Sequence, residues 1–409
     1  YMMINQENEN KPDVIYDCVV VGAGISGISF AHKLSRIGKN VLVLEKENAI
    51  GGQVNTYTSL LSSDFWTELG AHTCYNSYTH LLSIIDELEI SENILPLAKC
   101  SYMLYDKEKI KSPFSEIAYI PLIFNGLRLF SRTKKNKTVK EYFRPIVGAG
   151  NYDKLFSKMF RAVICQDADE YPAEIFLKKR KNRRNDIVRK FSFSGGLSSL
   201  LTTIADASGI STEISAKVVN IIPEGDLFRI ETADGKVFKS YNIALATNPH
   251  VTARILQKME PEIANLLETI PLFHSETFSV IINKNNLDCA HIAGIIPTSD
   301  QFLSVVSRDV SEHTALRGFT FHFEHGKTDA EKLNTICNVL NIKPELILEK
   351  STTSHALPAL RKQHVTIIED IEERRRNPHI YLLGNYFYGL SIEDCVHRSY
   401  DEYERFVAE

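Results

Sequence analysis

Apolar and polar positions along this 409-residue chain switch repeatedly between a strand rhythm and a helix rhythm. Short apolar runs stand at 18–21, 41–44, 243–246 and 380–383, and a mixed run, Lys217-Val218-Val219-Asn220-Ile221-Ile222, has the same strand character. They predict strands buried in a sheet. Helical spacing links Ile25, Ile28, Ala31, Leu34 and Ile37, and again Leu81, Leu82, Ile85 and Leu88. The same spacing predicts helices over 142–168, 198–207 and 327–341. A last helix opens at Ser391-Ile392-Glu393-Asp394, which has capping-box spacing, and turns Cys395, Val396, Tyr403 and Phe406 inward. Hairpins are expected at 102–111 and across Asp234-Gly235. Runs at 278–282, 294–297, 303–306 and 319–323 read as antiparallel strands of a second domain.

The first strand runs into Gly22-Ala23-Gly24-Ile25-Ser26-Gly27. In this spacing Gly22 permits a tight turn, Gly24 lets a pyrophosphate meet bare backbone, and Gly27 lets the next helix lie close to the sheet. The free N–H groups and positive dipole end of that helix, including those of Ile25 and Ser26, would face the phosphates. Gly38 closes the helix, and Glu45 ends the second strand, 18 residues beyond Gly27. An acid there accepts from a ribose hydroxyl pair and argues against a 2′-phosphate.

With Lys46 and the Gly51-Gly52 pair that follow, this stretch resembles the two-part FAD fingerprint of the amine oxidase, phytoene desaturase and protoporphyrinogen oxidase superfamily. The resemblance implies FAD rather than NAD. Gln53 stands where that family usually has Arg. The resemblance further implies that Gly70, Ala71 and His72 run beside the flavin ring and that Val218 meets the adenine through its backbone. Thr247 lies in a segment resembling the family's Ala-Thr-x-Pro turn. Gly384 and Asn385 would meet the ribityl phosphate, and Ser391 and Ile392, at the last helix N-terminus, the flavin pyrimidine edge. The fold implied is α/β: a Rossmann-type FAD-binding domain (13–75, 190–270 and 376–409) with an inserted α+β substrate domain (76–189 and 271–375) containing an antiparallel sheet.

Composition adds limits. A hydrophobic share of 44% and a charged share of 24% suit a globular protein, and a net charge of −4 gives no sign of nucleic-acid binding. Seven scattered cysteines without a C-x-x-C predict buried free thiols in a reducing, cytoplasmic setting, and no cluster has metal-ligand spacing. The opening YMMINQENENKP lacks the charge and apolar core of a secretory leader, and the Tyr ahead of Met2 is expected to be foreign to the natural start. No run reaches the length of a membrane span. The apolar stretch 117–130, followed by Arg132, Lys134, Lys135 and Lys137, admits two placements: a buried helix, or a segment lying on the inner face of a membrane. Six basic residues in 178–184 predict a self-repelling, solvent-exposed segment.

No nucleophile–base pair stands out, as expected where a flavin accepts the electrons. The expected activity is FAD-dependent dehydrogenation of a bulky, largely apolar small molecule by hydride transfer to the flavin, as in protoporphyrinogen oxidases, with oxygen or a quinone as electron acceptor. Amine oxidases of the family place an aromatic cage wall after the glycine that precedes the last helix. Here that position is Leu390, after Gly389, with Tyr386 and Tyr388 nearby. His72, Tyr386 and Tyr388 are the residues considered for chemistry. His355, Arg361 and His364 read as surface or positioning residues. The alternatives are a flavin amine oxidase, or a flavoprotein without net oxidation, either a sugar mutase or one with structural FAD.

Overall fold

Strand Ile15–Val21 sits at the centre of the structure because its side chains are apolar on both faces. Val19 and Val21 enter one hydrophobic cluster, while Cys18 and Val20 enter the other. A strand clothed on both sides needs parallel neighbours reached by crossover helices. It pairs in parallel with Val41–Leu44 on one side and Val237–Leu245 on the other. The computed structural model describes residues 14–120, 125, 132–287 and 289–409. Within them this sheet has seven strands, extended by Ser211–Glu213 beyond Val41–Leu44 and by the hairpin strands Leu227–Thr232 and Val218–Glu224. Ile380–Leu382 joins it in parallel beside Val237–Leu245.

The second sheet also has seven strands, beginning with Ile347–Pro358, Leu272–Asn283 and Leu316–Glu324. The four runs expected to be antiparallel pair so, and the sheet is antiparallel except where Gly294–Pro297 pairs in parallel with Tyr102–Asp106. Strand Ile347–Pro358 is twelve residues long. One sheet face is aromatic and aliphatic: Phe278, Val280, Phe319 and Phe321 pack with Ile336 and Val339 of helix Asp329–Leu340. The alternate positions, Ser275, Thr277, Ser279, Thr320 and His322, are polar and equally buried. Ser279 Oγ donates to Thr67 Oγ1 at 2.9 Å, so this hydroxyl-rich face rests on strand Trp66–Glu68.

The helix expected over 142–168 is broken. Val139–Val147 ends at Gly148, whose φ of 87° no helix tolerates, and the chain resumes through a wide turn into Ser157–Ile164. Most of 117–130, including 121–124 and 126–130, lies outside the described residues. Among the described residues no helix is long and apolar enough to cross a membrane. All seven cysteines are free, and no group of His, Cys, Asp and Glu among the described residues could hold a metal ion.

Helix Ile392–Ala408 packs on helix Ile25–Arg36, and Ser399 Oγ donates to the Ser26 carbonyl at 2.8 Å. Its other anchor is ionic. Glu402, 3% exposed, meets Arg375 at 2.6 Å and Arg398 at 2.8 Å. Arg398 also donates to the Leu382 carbonyl at 2.8 Å, tying helix to sheet. Removing one charge from a buried cluster strands the others. Glu402→Gln is therefore expected to lower stability by about 3–5 kcal/mol in urea unfolding at neutral pH. An unchanged midpoint would show that the cluster does not hold the helix.

Candidate functional site

The glycine turn closes as its spacing requires. Gly22 has φ +105°, and a Cβ there would come within 2.6 Å of the Ala246 carbonyl oxygen. A Cβ on Gly27 would overlap the Gly22 carbonyl, so this helix can approach the sheet only through glycine. Gly24 differs: a Cβ built there meets nothing nearer than 3.8 Å, the backbone of Gly51 and Gly52. Helix Ile25–Arg36 starts from Gly24 with no side-chain cap, leaving its first-turn N–H groups for another acceptor. Gly24 and Gly51 form a parallel bridge, and the Gly51 N–H donates to the Ala23 carbonyl at 2.9 Å. Two side-chain-free turns thus face each other beside a helix N-terminus. That cradle fits a pyrophosphate.

Glu45 is buried, and its carboxylate accepts from the Ala23 N–H at 2.8 Å and the Glu47 N–H at 3.0 Å. It latches the glycine turn, with each oxygen retaining a lone pair for a hydroxyl. Lys46 is largely exposed and pairs with Glu47. The Gln53 carbonyl accepts from the Ala71 N–H at 3.0 Å, bringing the Gly-Gly turn against Gly70-Ala71. Val218 sits at a strand edge position opposite Thr232. Thr247 bonds Thr252 at 2.8 Å. Gly384, with φ +136°, leaves room for the Tyr386 ring, and Asn385 follows it half-buried. Ser391 caps the last helix by accepting from the Asp394 N–H at 3.1 Å, and Ile392 is buried in the core. The reciprocal half of a capping box is not made.

The basic run differs from expectation. Lys178 and Arg180 are not self-repelling but converge on Asp394 at 3.1 and 3.0 Å, and Arg184 pairs with Asp86 and Asp186. His355 and His364, read as surface or positioning residues, are buried. His355 bonds the Leu69 carbonyl at 2.8 Å, and His364 bonds the Tyr386 carbonyl. Tyr386 is itself fully buried in the core, and the Tyr388 hydroxyl donates to Asp401 at 2.6 Å. Neither tyrosine lines the pocket described next.

An open pocket is lined by Trp66, Glu68, His72, Ser192, Arg308 and Thr320, among others. Strand Lys190–Phe193 supplies Ser192, and the turn Arg308–Val310 after strand Ser304–Ser307 supplies Arg308. Burial pushes His72 down to about 4, with the Lys190 charge adding to it. Burial, then the neighbouring His72 and His355, pushes His322 down to about 3. These imidazoles are neutral at pH 7 and serve as hydrogen-bonding groups. Sequence reasoning reached His72 but missed Trp66, Glu68, Ser192, Arg308 and His322. Only the single tryptophan of the chain was a local signal.

The model of an NAD(P)-binding Rossmann-like domain matches residues 20–88. A Dictyostelium discoideum protein named as a flavin-containing monoamine oxidase A is 22% identical over 291 residues, 63% of this chain and 63% of that one. The matched stretch is thus less than two thirds of that relative. A UDP-galactopyranose mutase of Mycoplasma pneumoniae is 50% identical over 56 residues, 14% of this chain and 12% of that one. Among solved structures, a candidate protoporphyrinogen oxidase from Exiguobacterium sp. 255-15 has a TM-score of 0.76 at 15% identity, covering 97% of this chain and all of that one. That likeness shows a shared fold.

Glu68 gives this site a pH signature. Its oxygens accept from Thr56 Oγ1 at 2.6 Å and the Leu197 N–H at 2.8 Å, yet burial dominates and lifts it from an ordinary 4.5 to about 7. A folded value above the unfolded one favours folding below 4.5, and that contribution is lost as pH rises through about 7. Unfolding midpoints in urea should fall between about pH 5 and about pH 8. Glu68→Gln should flatten that slope. An equally steep slope in the variant would assign it to another group.

Proposed function

We propose that the chain is a member of the superfamily of flavin amine oxidases, phytoene desaturases and protoporphyrinogen oxidases, and that it binds FAD and oxidises an organic substrate. The observation that carries this reading is the meeting of two glycine turns at Gly24 and Gly51 beside an uncapped helix N-terminus. Gly22, Gly24, Ile25, Ser26 and Gly27 would hold the pyrophosphate from one side, and Gly51, Gly52 and Gln53 from the other. Glu45 would receive the ribose hydroxyls and Val218 the adenine. Gly70, Ala71 and His72 would run beside the ring, with Gly384, Asn385, Ser391 and Ile392 along the ribityl chain and pyrimidine edge. FAD supplies the electron acceptor in such a site. The protein's part is to position the substrate and exclude water.

The finer reading is dehydrogenation of a bulky molecule, as the protoporphyrinogen oxidase branch performs, with oxygen or a quinone as final acceptor. Leu390 in place of a cage aromatic supports it over amine oxidation, as do two tyrosines engaged elsewhere. The short, high identity to a sugar mutase supports a second reading, FAD use without net oxidation.

Two measurements test the proposal. Glu45→Ala should lower the FAD bound per chain, read from visible absorption after purification. Full retention would remove Glu45 from the ribose. Anaerobic titration with porphyrinogens, polyenes, amines and a nucleotide sugar should bleach the flavin band with one oxidisable class and recover in air. Reduction by dithionite alone would overturn the oxidase reading in favour of the mutase.

A further inference from the structure

Ahead of strand Lys190–Phe193 the chain runs from 173 to 189 without helix or strand. Irregular stretches longer than about 12–15 residues are uncommon in compact folds, and those that occur are mostly lids, binding loops or disordered linkers. This one is a strap pinned at both ends. Near its start, Lys178 Nζ donates to the Tyr388 carbonyl and meets Asp394 at 3.1 Å. Arg180 donates to Ser391 Oγ at 2.9 Å and to Asp394 at 3.0 Å, and its guanidinium lies 5.2 Å from the centre of the Tyr78 ring. Further on, the Arg184 N–H donates to the Asn76 carbonyl at 2.9 Å, and Asn76 Nδ2 donates to the Arg184 carbonyl at 2.7 Å. The Asn76 N–H reaches the Arg189 carbonyl at 3.2 Å.

The basic residues of the strap divide by face. Lys178 and Arg180 turn to Asp394, while Lys179, Lys181 and Arg183 between and after them are exposed. Among the described residues none of those three is in an ion pair. Side chains of an extended segment alternate in this way. One face of the run is therefore an anchor and the other is solvated. Asp394 is buried, whereas the side chains of Lys178 and Arg180 are 28% and 26% exposed. Charge-assisted bonds to a buried carboxylate can hold a segment in place, and cations within reach of water can still be screened and released. The two pinned places are Tyr388 to Asp394, where the last helix opens, and Asn76 with Tyr78, just after Gly70-Ala71-His72.

We propose that this strap is the clasp of the cofactor site, with Lys178 and Arg180 as positioning residues that fasten it across the ring end of FAD and slow the exchange of the cofactor. The inference rests on the proposed placement of FAD, in which the ring lies between the segment ending at His72 and the start of the last helix. A strap fastened to both of those neighbourhoods bridges the ring end. Release of FAD then requires both cations to leave Asp394. The basic run thereby retains a cofactor already bound, through its inward face, and does not depend on its outward charges.

Full-length protein loaded with FAD would be diluted without denaturant, and release followed by the rise in flavin fluorescence. Lys178→Gln combined with Arg180→Gln should speed release about tenfold or more. Lys179→Gln combined with Lys181→Gln removes the same charge from the outward face and should leave the rate unchanged. Digestion with proteinase K gives a readout independent of flavin: cuts within 177–189 should come faster in the inward variant only. Equal release rates in both variants and the unaltered protein would overturn the proposal. Faster release without faster cutting would overturn it too, since the effect would then lie outside the strap. Should the inward variant fail to fold, the unaltered protein serves. Raising NaCl from about 0.05 M to about 0.5 M should speed its release several-fold, and a flat rate would overturn the clasp. Visible absorption tells the two failures apart. A flavin band with equal rates removes the clasp and keeps the FAD site, whereas a protein that neither carries nor takes up FAD removes the FAD reading and the clasp with it.

Discussion

One residue, Ala23, joins the parts on which this structure depends. The Ala23 N–H is held by Glu45 at 2.8 Å, and the Ala23 carbonyl accepts from the Gly51 N–H at 2.9 Å. The end of the second strand, the start of the first helix and the second glycine turn are therefore fixed relative to one another by two hydrogen bonds to one residue. Both are buried, and the one to a carboxylate is charge-assisted, where such bonds are strongest. The arrangement tolerates no side chain at Gly22 or Gly27, because their neighbours are backbone oxygens that cannot move aside. At Gly24 the same geometry leaves space. Backbone packed everywhere except where a phosphate would sit is what distinguishes a cradle from an ordinary turn.

The second sheet shows a complementary constraint. Its strands alternate as strands must, but both sets of positions are buried, one aromatic and one hydroxyl-bearing. The aromatic set forms a conventional core with helix Asp329–Leu340. The polar set satisfies itself laterally: Thr320 bonds Ser279, Ser279 bonds Thr67, and Thr277 bonds His322. These bonds keep Thr67, Thr277, Ser279, Thr320 and His322 in place without charge, while Ser275 Oγ has no partner. It also presents a surface beside Gly70 that is polar yet not ionised.

What the sequence disclosed follows from how far apart the interacting residues lie. The glycine turn, the paired parallel strands and the opening of the last helix rest on residues within one or two turns of each other, so pattern alone located them. Gly148 and Gly150 stood in plain view within the stretch 142–168, but the apolar spacing there outweighed a single left-handed glycine. The basic run at 178–184 was misread because its partner, Asp394, lies some two hundred positions away. The pocket failed for the same reason. Trp66, Ser192 and Arg308 come from three separate strands or turns, each unremarkable locally. Local rhythm cannot report on side chains that meet only through tertiary packing.

That distribution also bears on what kind of chemistry the pocket performs. Its histidines are held neutral by burial, and its acid has been moved toward neutrality by the same cause. Desolvation thus acts on every titratable group in the region in the direction that removes charge. Arg308 is the exception: even displaced to about 10 it stays protonated at physiological pH. A site whose imidazoles are held neutral by burial is suited to orienting a ligand through hydrogen bonds rather than through charge. This matches the division of labour in flavin sites, where the cofactor supplies the reactivity and the protein supplies orientation. The absence of a nucleophile–base pair in the sequence and the neutral imidazoles in the structure agree with that division.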